Sequence, residues 1–408
     1  LAHPLNRARV LTPAFSPHVA RRPRLLEFLS RLSTRRCLFV AAPPGSGKTT
    51  LIAQFVAGQN RPCAWLTVSK AERSAATLVS RLVESINVPI SGFGSRAREA
   101  LEVSSDVVAV VDALVSDLAA ANHTLLLVLD DLEQIPPGAT GHELIAGLVE
   151  RAPAGVTVIL VGTEIPRIRL NRLIADQAVS GLGAADLMLT HAEIGTALRK
   201  AQVSAAPELV DQVAAKSGGM AAAVRLLAAA FRRGPDAFAE MAAAQDINHM
   251  IESSVRQLDR TYQDLLEAAS VYDEIDPTVL AVSADMPDAL ALLTRLCEIQ
   301  PLIGYVGTDD SHVLFRCHRL LRDHLHRRAE LRHRTRSILK SGLRPIGDRS
   351  HEHAPLFLLT RKQRGRIYQR RHRLLQGQKQ PGRPPVSRRL LIVGDPQLDG
   401  LAGCSNAP

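Results

Sequence analysis

The 408-residue chain has few aromatic residues and few cysteines. Aromatic side chains make up 3% of it, so alanine and leucine must carry most of the apolar content. The five cysteines are scattered without a Cys-x-x-Cys pair, which argues against a disulfide framework or a zinc site and fits a reducing cytoplasm. We therefore expect a cytoplasmic protein of two or three domains.

Long apolar runs are also absent. No stretch approaches the roughly 18–20 apolar residues that a membrane span requires. The N-terminus is rich in arginine and contains prolines, and it lacks the apolar segment of a signal peptide. The sequence therefore predicts no membrane partner.

Positive charge is concentrated at the C-terminal end. Residues 331–408 contain 17 of the 50 basic and 4 of the 40 acidic residues, so this tail carries +13 and the rest of the chain carries −3. The body gives no electrostatic sign of nucleic-acid binding. The basic residues of the tail could neutralise phosphates, so a protein that binds DNA through this tail is one alternative. The other is that the tail is an unselected run of charge.

One motif indicates phosphate binding. The segment Ala42–Thr50 follows an apolar run and precedes a helix-like run, which is the order of a P-loop. In that motif, backbone N–H groups and the helix dipole bind phosphate, the lysine reaches the β- and γ-phosphates and the next hydroxyl binds Mg²⁺. Ala42 replaces the usual first glycine. The predicted nucleotide-binding residues are Pro44, Gly45, Ser46, Gly47, Lys48, Thr49 and Thr50, with Thr49 also on Mg²⁺.

Polar residues follow two other apolar runs. Asp130 and Asp131 come directly after a buried-strand signal that ends at Leu129. Asp130 is the candidate Mg²⁺ ligand, whereas Asp131 is either the general base that orients water or a helix-capping acid. Thr163 follows the next strand, where it either hydrogen-bonds phosphate or lies in a plain loop.

Alternating strands and helices predict an α/β fold. We expect a doubly wound parallel P-loop NTPase sheet, then a small helical domain and a winged-helix-like domain. The predicted divisions are an irregular lead at 1–22, the NTPase domain at 23–189, a helical lid at 190–234, the winged-helix-like domain at 235–330 and a basic, low-order tail at 331–408.

Several local patterns give finer predictions. Residues 69–72 and 190–193 each read as a capping box that opens a helix. Residues 96–121 are expected to form one helix, and residues 187–189 a short fifth strand. His318, taken alone, reads as a packed or exposed histidine on a helix face.

Six segments of the chain occur in a distinctive order: Pro23–Leu26, Ala42–Thr50, Ala64–Leu66, Leu127–Asp131, Gly218–Gly219 and Phe315–Leu321. As an ordered set, they resemble the MalT-like, large LuxR-type transcriptional regulators of the STAND class of P-loop ATPases. The resemblance covers about residues 13–330.

The resemblance implies a switch with slow ATP hydrolysis at most. ATP or ADP with Mg²⁺ would lie between the three domains, where His318 would contact phosphate. ADP would hold a closed form, and ATP with an inducer would favour an open, self-associating form. DNA is expected as a partner only if the usual C-terminal helix-turn-helix is restored.

The sequence departs from this family in three places. Gly162–Thr163 replaces the usual Ser-Arg, Gly219–Ala221 lacks the usual proline, and the sensor repeats and DNA-binding helices do not follow. We interpret the tail as the product of a frameshift, with natural truncation as the alternative. An ATPase of the AAA+/origin-recognition type remains an alternative function, and a small-molecule kinase is a weaker one.

Overall fold

The computed structural model describes residues 8–15, 19–103, 106–164, 179–272, 274–309 and 312–329. All of them belong to a single compact unit of the chain. The predicted basic tail, residues 331–408, lies outside the described residues.

Five short strands form one parallel sheet, because apolar runs that are buried on both faces suit parallel pairing. The strands are β1 (Cys37–Ala41), β2 (Cys63–Thr67), β3 (Leu125–Asp130), β4 (Val156–Gly162) and β5 (Val179–Leu182). Their order in the sheet is β2-β3-β4-β1-β5. The C-terminal ends of β1, β3 and β4 therefore meet at one edge of the sheet, beside the P-loop and the two aspartates.

Helices cover both faces of this sheet. Because side chains alternate along a strand, Val128 packs with the helices on one face, and Leu127 and Leu129 pack with those on the other. Two of the helices, α1 and α2, lie on the Val128 face. The helices of this domain are α1 (Pro23–Arg31), α2 (Lys48–Ala57), α3 (Ala75–Asn87), α4 (Ser95–Val103), α5 (Val107–Ala121) and α6 (Thr140–Arg151).

Two helix predictions in this domain are wrong. Ser69 N donates to Glu72 Oε2 over 2.7 Å, but this contact closes a turn, and α3 begins later, behind the N-cap Ser74. The helix expected over residues 96–121 is divided into α4 and α5, because Asp106 accepts a hydrogen bond from Val108 N and begins a new helix.

The predicted fifth strand is also misplaced. The strand that pairs with β1 is β5, whereas Leu187 lies in a turn, where its N–H donates to Gly183 O and Ala184 O. Leu187 is fully buried, so its apolar character reflects packing and not a strand.

A helical lid follows the sheet. The predicted capping box at its start is confirmed, because Thr190 and Glu193 exchange side-chain and backbone hydrogen bonds. Arg24 of α1 also donates to Glu193 over 3.1 Å and ties the lid to the NTPase domain. The next helices are α7 (His191–Lys200), α8 (Pro207–Ser217), α9 (Ala221–Arg233), α10 (Pro235–Ala243) and α11 (Ile247–Arg256).

The last part has the predicted winged-helix order of helices, hairpin and helix. Its hairpin pairs β6 with β7, and a bridge from Ile275 to Phe315 adds a third extended segment. One hydrophobic core runs through the lid and this domain. The elements are α12 (Arg260–Ala269), α13 (Pro277–Ser283), α14 (Ala289–Ile299), β6 (Ile303–Asp309), β7 (His312–Cys317) and α15 (319–329).

Within the described ranges, no helix combines the length and the apolar character that crossing a bilayer would need.

Gly181 gives a test of the sheet. A Cβ at this residue of β5 would lie 2.4 Å from Phe39 O of β1, so Gly181→Ala must separate the two strands. We expect a loss of about 1–3 kcal/mol, seen as a fall of several degrees in Tm. The control is Gly183→Ala, whose nearest neighbour would be Asp186 Oδ2 at 3.7 Å, and it should change Tm little. Equal Tm values for the two variants would contradict this pairing.

Candidate functional site

The P-loop connects β1 to α2 in a backbone conformation that requires glycine. Gly45 and Gly47 have φ values of +88° and +84°, in the left-handed region. Gly47 is the N-cap of α2 and has no side chain, so the N-cap residue accepts no side-chain hydrogen bond from the N–H groups of the first turn. An anion can therefore bind at this helix end.

Lys48 is held against the loop. Its Nζ donates to Ala42 O over 2.7 Å and to Pro43 O over 3.3 Å, and the residue is 8% exposed. Burial lowers the pKa of this ammonium group, and nearby carboxylates, of which Glu133 is the strongest, oppose the decrease. The ammonium group thus lies in a desolvated position beside the loop.

The remaining predicted loop residues lie around this lysine. Ser46 is fully buried, and its Oγ donates to Pro43 O over 2.8 Å. Pro44 is half-buried in the loop, and Thr50 is half-buried in the first turn of α2.

Asp130 and Asp131 lie at the end of β3. The Thr49 hydroxyl donates to the Asp130 carboxylate, and Asp131 N donates to Asp130 Oδ1 over 3.0 Å. Burial raises the pKa of both carboxyl groups; the charge of Asp131 adds to the rise at Asp130, and that of Glu133 to the rise at Asp131. A bound cation would relieve this repulsion.

Mg²⁺ fits this arrangement. Magnesium is commonly held by one or two carboxylates together with substrate phosphates and water, and the Thr49–Asp130 pair offers oxygen donors next to the P-loop. Among the described residues, no group of three His, Cys, Asp or Glu side chains is placed to hold a metal ion by itself. The nucleotide would therefore have to complete the coordination.

Asp131 does not cap a helix through its side chain. It precedes the short helical turn Leu132–Gln134 with φ of +60°, a left-handed conformation that is uncommon for a residue other than glycine. Its side chain makes no cap hydrogen bond there. The capping alternative is therefore not realised.

Thr163 lies at the end of β4, and its N–H already donates a hydrogen bond to another residue. Thr163 N donates to Glu133 Oε2 over 3.1 Å. The other oxygen of Glu133 accepts a hydrogen bond from Arg319 Nη1 of the winged-helix domain. Sequence reasoning missed Glu133, for which the one available signal was its position two residues after Asp131.

The winged-helix domain places His318 beside the loop. His318 Nδ1 accepts from Leu320 N over 3.2 Å, so the neutral ring carries its proton on Nε2. The residue is half-buried. Burial and four cations lower the pKa of His318 to about 4; the cations, in order of effect, are Arg225, Lys48, Arg319 and Arg322.

Two domains touch the P-loop at Gly45. A Cβ on Gly45 would lie 2.7 Å from Leu320 Cδ1 of the winged-helix domain and 3.0 Å from Ala222 Cβ of the lid. Gly45 O also accepts a hydrogen bond from Ala222 N over 2.9 Å. The structure thus brings the predicted loop residues, Asp130, Asp131, Thr163 and His318 to one place.

Arg225 is a second residue that sequence reasoning missed. It lies on α9, one turn beyond Ala221 and Ala222, whose Cβ atoms face the P-loop glycines. Helical side chains lean towards the helix N-terminus, so Arg225 extends towards the loop. Arg225 is exposed to solvent, and its guanidinium charge is the strongest cationic influence on the pKa of His318.

The chain matches two domain families. Residues 20–161 match the AAA ATPase domain, and residues 251–337 match the MalT winged helix domain. These matches fall on the sheet domain with its P-loop and on the domain that carries His318.

Curated relatives cover most of this chain. The serine/threonine-protein kinase PknK of Mycobacterium tuberculosis is 25% identical over 320 residues, which are 76% of this chain and 29% of PknK. The HTH-type transcriptional regulator MalT of Cronobacter sakazakii is 24% identical over 342 residues, which are 79% of this chain and 36% of MalT. The chain thus spans about a third of the length of these relatives.

A solved structure shows the same fold. It is a Signal Transduction ATPase with Numerous Domains (STAND) protein with a tetratricopeptide repeat sensor from Pyrococcus horikoshii. The TM-score is 0.57 at 15% identity, over 91% of this chain and 47% of that one. Together these findings confirm the predicted fold class and the resemblance to MalT-like STAND P-loop ATPases.

The lowered pKa of His318 predicts a pH-dependent stability. An unfolded histidine titrates near its ordinary pKa of 6.5, whereas the folded value is about 4, so the unfolded chain binds more protons between these values. Stability should therefore fall as the pH decreases through this range, and His318→Gln should remove about 1–2 kcal/mol of the loss at pH 5.

Thermal unfolding at pH 7 and pH 5 measures this difference. The control is His123→Gln, at an exposed position before β3, which should unfold with the pH dependence of the parent. A pH dependence in His318→Gln equal to that of the parent would show that His318 titrates normally.

Proposed function

We propose that this MalT-like P-loop ATPase module is an ATP- and ADP-binding regulatory switch of a LuxR/MalT-type transcriptional regulator, with slow ATP hydrolysis or none. The observation that supports it best is the meeting of three domains at Gly45. A ligand that binds there contacts the NTPase domain and lies at the junction with the lid and the winged-helix domain. Its presence can therefore bias how these domains pack.

Phosphate binding would use the loop and its cations. The N–H groups at the start of α2 would bind phosphate oxygens, and Lys48 would move from its carbonyl partners to the phosphates. The Nε2–H of neutral His318 offers a further donor from the winged-helix domain. Arg225 brings a positive charge from the lid.

Mg²⁺ would be held by Thr49 and Asp130, and when bound it would neutralise phosphate charge. Asp131 remains the candidate for orienting water, and Thr163 remains a candidate phosphate contact once Glu133 releases its N–H. Because His318 and Leu320 place the winged-helix domain beside the P-loop, a nucleotide bound in the loop would act on this domain directly.

The switch would work by a shift between domain arrangements. The described arrangement, in which the winged helix lies on the loop, would correspond to the ADP-bound closed form. ATP and an inducer would favour an open form that self-associates. DNA binding would belong to a C-terminal helix-turn-helix domain and not to this module.

The relatives support a regulatory role for the shared region. One is named a protein kinase and another a transcriptional regulator, yet each matches this chain over more than 300 residues. Proteins with such different outputs can share a switch module, because the module controls an output domain and does not perform its chemistry.

Lys48→Ala tests nucleotide binding. At about 100 times Kd, a ligand stabilises its protein by about 2.7 kcal/mol, so ADP or ATP with Mg²⁺ should raise the Tm of the parent by several degrees. The variant should lose most of this rise because it lacks the ammonium group. Lys70→Ala, at an exposed position, is the matched control and should behave as the parent. A parent that responds to neither nucleotide would refute the proposal.

Steady-state turnover separates a switch from an ATPase machine. A switch should release phosphate at a rate far below the about 10 s⁻¹ that is typical of enzymes. Phosphate release is measured over a range of chain concentrations, because an arginine finger from a second subunit would make the rate depend on concentration. Sustained turnover near 10 s⁻¹ would favour the AAA+/origin-recognition alternative.

A further inference from the structure

Glu133 links two domains beside the P-loop. It lies in the turn after Asp131, and its side chain is 13% exposed. One oxygen accepts Thr163 N–H at the end of β4, and the other accepts Arg319 of the winged-helix domain. Thr163 belongs to the same domain as Glu133, whereas the contact with Arg319 depends on the packing of two domains.

The partners of this carboxylate are groups that bind anions. A backbone N–H at a strand end and a guanidinium group are both donors for charged oxygens. Lys48 is nearby as well, because Glu133 is the strongest anionic influence on its ammonium group. Glu133 therefore occupies a position in which two donors for a charged oxygen meet, with the ammonium group of Lys48 nearby.

We propose that Glu133 is a specificity-determining residue that makes this arrangement bind nucleoside diphosphate in preference to triphosphate. The inference rests on the proposed function of the same site. A terminal phosphate would place negative charge next to Glu133 and compete with it for Thr163 N–H and Arg319. A diphosphate lacks the terminal phosphate, so it neither places charge next to Glu133 nor competes with it for these donors.

The same carboxylate connects this preference to the winged helix. A terminal phosphate that displaces Glu133 also releases Arg319, whose other ion pair among the described residues is with Asp323 on its own helix, at 3.4 Å. Triphosphate binding and loosening of the winged helix are thus coupled, and the coupling acts equally in both directions.

Isothermal titration calorimetry on the full chain tests the proposal. The probes are ADP and the slowly hydrolysed ATPγS, each with Mg²⁺, and the readout is the ratio of their Kd values. Glu133→Gln keeps the shape and one acceptor oxygen but removes the charge. We expect it to lower the ATPγS/ADP ratio about tenfold, which corresponds to 1.4 kcal/mol, mainly through tighter ATPγS binding. The matched control is Glu143→Gln, at an exposed position on α6, which should keep the parent ratio.

Arg319→Gln distinguishes an effect of the Glu133 charge from an effect of an ion pair that only holds the two domains together. It leaves Glu133 charged and without its cation, so repulsion should raise the ATPγS/ADP ratio above that of the parent. If the ion pair served only to hold the domains together, both variants would lower the ratio, and the proposal would be overturned. An unchanged ratio in Glu133→Gln with normal ADP binding would also overturn it. If Glu133→Gln does not fold, Arg319→Gln decides alone, and any result other than a raised ratio counts against the proposal.

These outcomes differ from a failure of the proposed function. A parent chain that binds neither ADP nor ATPγS refutes the switch itself. A parent that binds both nucleotides, with a ratio that Glu133→Gln leaves unchanged, refutes only the role of Glu133.

Discussion

The arrangement of this site depends on the fact that residue 45 is glycine and has no side chain. Leu320 and Ala222 approach the position so closely that a Cβ would lie 2.7 Å from one and 3.0 Å from the other. The left-handed φ of Gly45 also turns the loop so that phosphate can approach its backbone. One residue thus sets the conformation of the loop and permits the packing of two further domains, so a change at Gly45 would affect both.

The charged groups of the site are buried or lie close to groups of like charge, and bound ligands would offset both costs. Burial and mutual repulsion raise the pKa of Asp130 and Asp131, whereas burial and surrounding cations lower the pKa of His318. A cation at the acids and an anion at the cations would each restore favourable interactions. Glu133 already supplies one such anion through its contact with Arg319. Its charge therefore balances the site in the described arrangement.

Local sequence patterns predicted some elements well and others poorly. The strand before the P-loop, the strand that ends at Asp130 and the capping box at Thr190 all formed as expected, because hydrophobic runs and cap hydrogen bonds are local. The same reasoning failed at residues 69–72, since a Ser-to-Glu contact closes a turn as readily as it opens a helix. It failed again at residues 187–189, where buried apolar side chains lie in a turn.

The sequence by itself determined the P-loop motif, the two aspartates at the end of a strand and the order of sheet, helices and winged helix, because these follow from glycine conformation, strand ends and motif order along the chain. Only the tertiary structure decided that Thr163 N–H belongs to Glu133 and that Arg319 reaches the same carboxylate from 186 positions away. No local pattern encodes such contacts, since they arise where separate cores pack together and burial forces each charge to find a partner.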